Sequence, residues 1–87
     1  MNKTILATIS ILIKDRHHKS DGVNRLLTEQ GHLIKARLGI NLEPKCSSDC
    51  LAVISLVTEG AKDEIDSLVE KLNGLSGIEA QSCIIIK

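Results

Sequence analysis

The chain contains no phenylalanine, tyrosine or tryptophan. Its core has to be built from isoleucine, leucine, valine and alanine. The same absence removes the aromatic platforms on which single-stranded nucleic acids stack. A prevailing charge is missing too, because 11 basic residues balance 11 acidic ones. Nothing supplies the positive field that a phosphate backbone or an anionic bilayer requires. The expectation is therefore no direct nucleic-acid binding and no membrane. Proline occurs once, and no apolar run is long enough to span a bilayer.

What is present is ordinary for a folded domain. At 87 residues, with 43% hydrophobic and 25% charged side chains, the chain fits one domain over residues 1–87 and is not of the disordered class. The opening MNKTILATISILIKD is apolar enough to be tested as a signal peptide. Thr4, Thr8 and Ser10 interrupt it, no small-residue cleavage site follows, and Lys14, Asp15 and Arg16 close it with charge. A strand in a cytoplasmic protein is the reading, with its three cysteines reduced. Their odd number also argues against a disulfide framework.

Periodicity divides the chain. Over residues 4–14, Ile5, Ala7, Ile9, Ile11 and Ile13 alternate with Leu6, Thr8, Ser10 and Leu12, which predicts a strand with one fully apolar face. Residues 20–30 change period: Ser20 or Asp21 caps a helix, Val23, Leu26, Leu27 and Gln30 share a face, and Gly31 stops it. Alternation returns over 32–42, with Ile34, Ala36, Leu38, Ile40 and Leu42 opposite Lys35, Arg37 and Asn41. A turn-rich loop at 43–49 holds the proline, and CLAVISLVTE at 50–59 is a central strand. A second helix follows Gly60, with Ala61, Ile65, Leu68, Val69 and Leu72 on its stripe and Asn73-Gly74 at its end. A last strand runs from about Ile78 to Ile86.

The order β-α-β-β-α-β predicts an α+β, ferredoxin-like sandwich. Right-handed crossovers give one antiparallel four-stranded sheet in the order 4-1-3-2, with two helices on one face. The other face, expected to carry Leu6, Thr8, Ser10, Leu12, Lys35 and Arg37, is too apolar to stay wet. A homodimer or higher homo-oligomer, paired by faces or edges, is the expected solution.

This topology brings three loops to one end of the sheet. They are Asp15 to Ser20, Glu43 to Cys50, and Asn73 to Gly77. Cys46 and Cys50 in KCSSDC then lie near His17 and His18, a candidate soft-metal set of two thiolates and two imidazoles. The spacing C-x₃-C is a loose signal, and two structural thiols in a hairpin loop are the plainer alternative. Cys83 falls toward the opposite end, His32 is expected to be solvated, and no cofactor is expected beyond that candidate metal. The segment from Asp15 to Gly22 leads into a helix whose first N–H groups can hold an anion or carboxylate, the alternative being an ordinary capped turn. Asp15, Arg16, Ser20, Asp21 and Gly22 are its candidate ligand residues, with Arg37 as a clamp or an interface residue. No nucleophile–base set and no glycine-rich phosphate loop is present, so a non-enzymatic role is expected.

Several stretches carry a family likeness. The strand ending in KD, the glycine in Asp21-Gly22-Val23, ARLGI at 36–40, AVISLVTEGAKDEIDSLVEKL at 52–72 and LSGIEAQS at 75–82 resemble the iron-only hydrogenase system regulators. These are stand-alone ACT-like proteins, similar in fold to the sensing domain of the nickel-responsive repressor. Two departures stand out. Arg37-Leu38-Gly39-Ile40-Asn41 lacks the proline that ends the family's R-x-G-x-P pattern, and Asp66, Val69 and Glu70 replace small residues of the second helix. The repressor's nickel pattern of spaced histidines and a cysteine has no match in His17, His18 and His32. The resemblance implies a regulatory module that senses a small molecule, often an amino acid, near the first strand–helix loop at a subunit interface. With the chain opening on its first strand, an effect on transcription is expected to need a protein partner.

Overall fold

The computed structural model describes residues 4–42, 45–47 and 50–86. Strand β1 (Thr4–Ile13) leads into helix α1 (Arg16–Glu29), and a short 3₁₀ turn at Gly31–Leu33 precedes strand β2 (Ile34–Asn41). Strand β3 (Ala52–Ala61), helix α2 (Lys62–Asn73) and strand β4 (Ile78–Ile86) complete the chain. The sheet order is β2-β3-β1-β4, with every neighbour antiparallel. This is the expected order read from the other edge. The turn expected at Glu43 and Pro44, and Ser48 and Asp49 beyond it, lie outside the described residues. Among those described, no helix is long and apolar enough to cross a membrane.

The core lies between the sheet and the two helices. Ile5, Ala7, Ile9, Ile11 and Ile13 of β1 are all buried, as the alternation required. Val23 and Leu27 of α1 and Ile65, Leu68 and Leu72 of α2 close over them. Each fully buried aliphatic side chain contributes about 1.5–3 kcal/mol, so the absence of aromatic rings is offset by number. Thr58 is the one buried polar side chain among those described, and its hydroxyl donates to the Ala7 carbonyl at 2.9 Å. The end of α2 is tied to β4 by Asn73. Its amide accepts from the Ala80 N–H at 2.8 Å and donates to the Ala80 carbonyl at 3.0 Å.

Two expectations are corrected. The first concerns β2, whose pairing with β3 shifts between Ile34 and Ala36. One extra residue in a strand turns every later side chain to the opposite face. Arg37 and Gly39 therefore lie opposite the buried Leu56 and Ile54, on the helix side, rather than on the uncovered face. Leu38 and Ile40 lie opposite Ser55 and Val53 on the uncovered face, where they are 62% and 50% exposed.

The second concerns α1, which begins at Arg16 instead of Ser20 or Asp21. Asp15 adopts a left-handed conformation, φ 60° and ψ 63°, which aspartate tolerates better than most residues. That turn starts the helix at once. The Ser20 hydroxyl then donates within the helix, to the Arg16 carbonyl at 2.6 Å, and caps nothing.

Candidate functional site

Backbone hydrogen bonds join the three connections at one end of the sheet, as the topology predicted. The Lys14 N–H donates to the Gly77 carbonyl at 2.9 Å, and the Arg16 N–H donates to the Cys50 carbonyl at 2.8 Å. Gly77 has φ 76°, and a Cβ there would sit 3.3 Å from the Lys14 carbonyl, so this approach depends on glycine. The Arg16 guanidinium adds a bond to the Leu51 carbonyl at 3.3 Å. Asp15 turns its carboxylate to His18, whose Nδ1 lies 2.9 and 3.0 Å from the two oxygens. The first N–H of α1 is thus satisfied by protein, where the sequence suggested an anion.

The six candidate ligand residues part company here. Asp15 and Arg16 stay at the strand–helix junction, and Asp21 is exposed on the helix surface. Gly22 borders a separate depression between the two helices, shared with Arg25 and Leu75. Ser20 and Arg37 meet. They line a groove of about 220 Å³ between α1 and the edge strand β2, together with Asn24, Gly39 and Asn41. Arg37 Nη2 donates to Asn24 Oδ1 at 2.9 Å, linking two of its lining residues. Above Gly39 the groove is open, since an added Cβ would meet only Ile54 Cγ1, at 3.9 Å.

Sequence reasoning missed Asn24, Gly39 and Asn41 as groove residues. Asn24 lies four residues after Ser20, one helical turn on the same face, and Arg37, Gly39 and Asn41 alternate along a strand. The signal was there. It needed the β2 register to show that the two rows face each other.

The cysteines differ from expectation. Cys46 and Cys50 form a disulfide, with Cα atoms 5.6 Å apart, where reduced thiols were expected. The odd count misled because the odd cysteine is Cys83, which stands exposed on β4 opposite Thr8 and takes no part. Two bonded sulfurs offer no thiolate to a metal. His17 and His18 are both exposed, and among the described residues no group of three or more His, Cys, Asp or Glu converges as a metal site would require. His32, expected in solvent, lies 3.2 Å from a carboxylate oxygen of Glu64 while remaining exposed.

The groove offers a guanidinium, two side-chain amides and a hydroxyl already engaged with the helix backbone. Groups of these kinds can hydrogen-bond a carboxylate and polar atoms beside it, and they include no acid–base pair aimed at a bond to be broken.

The family profile of the TM1266-like iron-only hydrogenase system regulators matches residues 5–82. The chain belongs to this family. The structure of TM1266 from Thermotoga maritima superposes with a TM-score of 0.85 at 25% identity, covering 95% of this chain and 99% of that one. The ACT domain of the Chlorobium tepidum GTP pyrophosphokinase, in its crystal structure, gives 0.70 at 17% identity, covering 93% of this chain and all 100% of the other. The regulatory subunit of the Thermus thermophilus aspartate kinase gives 0.57 at 16%, covering 95% of this chain and 53% of that subunit. The latter two show the fold alone, and that fold is ACT-like. No curated protein matches the chain.

Proposed function

We propose that this protein is a non-enzymatic regulatory module that binds a small carboxylate ligand, of amino-acid size, in the groove between α1 and β2. One observation carries the reading: Arg37, Asn24, Asn41 and Ser20 line a common groove whose floor is kept open by Gly39. Its volume of about 220 Å³ falls below the roughly 300–1,000 Å³ of pockets for drug-sized ligands, which favours an amino acid over a nucleotide. A cationic fork beside two amides suits a carboxylate with an adjacent polar group. The family's description supports a regulatory role connected with the iron-only hydrogenase system; in this reading the role is exerted in the cytoplasm through a protein partner.

The module acts as a homodimer or higher homo-oligomer. The uncovered sheet face supports this reading, with Leu38, Ile40 and Leu42 at least half exposed. Four strands of up to 10 residues, at about 3.3 Å per residue and 4.8 Å between strands, present roughly 600 Å² in projection. Two such faces approach the 1,200–2,000 Å² that a stable interface buries, to an order of magnitude.

The test is a thermal-shift screen with the common amino acids and small dicarboxylates. A ligand held only by the folded state at a hundred times its Kd adds about 2.7 kcal/mol of stability, a readily measured rise in Tm. A set in which no compound moves the transition overturns the groove assignment.

A further inference from the structure

The disulfide between Cys46 and Cys50 is not needed to hold the sheet together. The β2–β3 ladder already runs to Asn41 opposite Ala52, and the Leu42 N–H extends it to the Leu51 carbonyl at 3.1 Å. The bond also closes a loop across a sequence separation of only 4, where the entropic gain from cross-linking is smallest.

The surroundings of the pair suit chemistry better than bracing. The two residues are unequally accessible: Cys50 is completely buried, whereas Cys46 is partly exposed. A nucleophile from solvent therefore reaches the Cys46 sulfur first. Cys50 sits at the positive end of a 14-residue helix, its carbonyl accepting the first N–H of α1 at 2.8 Å. The Arg16 guanidinium rests on the next carbonyl, that of Leu51. Cys50 is thereby tied through its backbone to the N-terminal turn of α1, and a helix N-terminus is a setting that favours departure of a cysteine sulfur as thiolate.

We propose that Cys46–Cys50 is a reversible thiol–disulfide exchange site for a dithiol reductant. A thiolate of the dithiol attacks Cys46 Sγ, and the electron pair of the breaking S–S bond leaves with Cys50 Sγ, which takes up a proton. The second thiol of the reagent then attacks its own sulfur in the mixed disulfide. It releases Cys46 as a thiolate that is protonated in turn, and the reagent closes to a cyclic disulfide. Two electrons and two protons pass to the protein, and the dithiol is oxidised. A disulfide oxidant runs the sequence backwards. The loop that carries the pair joins Asn41 to Ala52, both of which line the groove. Its regulatory meaning rests on the ligand reading above; the exchange itself does not.

The experiment uses the full chain and no ligand. Protein prepared without reductant, denatured, alkylated with iodoacetamide and weighed is expected to carry one adduct, on Cys83. Treatment of the folded protein with dithiothreitol should raise this to three, and oxidised glutathione should return it to one. In a Cys83→Ser background, folded Cys50→Ser should label at Cys46 about tenfold faster or more than folded Cys46→Ser labels at Cys50. If circular dichroism shows either variant unfolded, the position of the mixed disulfide that a monothiol forms with the Cys83→Ser chain decides instead, with Cys46 expected. Three adducts without reductant, a bond reduced only after unfolding, or attack at Cys50 would each overturn the proposal.

Discussion

Arg37 on an edge strand and Asn24 on the first helix are joined by a 2.9 Å hydrogen bond, and both residues line the groove. Both side chains are exposed, so the contact carries little of the fold. Replacing Arg37 with glutamine is expected to change unfolding free energy by less than about 1 kcal/mol. The ligand-induced rise in Tm should disappear. Paired denaturation and thermal-shift curves make the comparison, and an undiminished shift in the variant removes Arg37 from the site.

Gly39 gives a second, steric test. A Cβ there meets only an ordinary contact with Ile54, and valine suits a strand better than glycine. Gly39→Val should leave the protein as stable or up to about 1 kcal/mol more stable while filling the groove. Retained ligand binding in a folded variant would show that the ligand sits elsewhere.

Leu38 points away from both helices and is 62% exposed. A lysine at this position costs a monomer little and places a like charge in any symmetric face-to-face pair. Sedimentation velocity is expected to show Leu38→Lys shifted toward monomer at concentrations where the unmodified chain associates. Unchanged association would place the interface on a strand edge instead.

Gly60 faces the buried Leu33, and a Cβ on it would collide with that side chain. With Leu33 only 1% exposed, there is little room to yield. Gly60→Ala should destabilise by about 1–3 kcal/mol, read as a lower urea midpoint at constant m-value.

Asn73 completes both backbone groups of the buried Ala80. Asn73→Ala leaves a donor and an acceptor unpaired and should cost about 1–3 kcal/mol. Hydrogen exchange would show faster exchange at Ala80 than at the central strand residue Ile9. Protection equal to that of the unmodified protein would mean that water or a neighbour replaces the amide.

The strands and helices were legible because each has its own period. Ile5 to Ile13 alternate, and Ile65, Leu68 and Leu72 recur at helical spacing; burial follows both patterns. The candidate site was legible only in part. Ser20 and Arg37 stand out in the sequence, yet alternation alone puts Arg37 on the wrong face, because nothing in Ile34-Lys35-Ala36-Arg37 marks a bulge. The start of α1 was missed for a similar reason, since its first N–H is capped by a carbonyl 34 positions along the chain, that of Cys50.

By itself the sequence determined the aliphatic core, the order of elements, the sheet order that follows from it and the meeting of three loops at one end. Those properties depend on side-chain periodicity and chain connectivity, which are local or topological. Only the tertiary structure decided which face Arg37 occupies, that Cys46 and Cys50 are bonded, and that Ser20, Asn24, Arg37 and Asn41 share a groove. Each of these depends on register between segments distant in sequence, where a shift of one residue turns a side chain from one face of the sheet to the other.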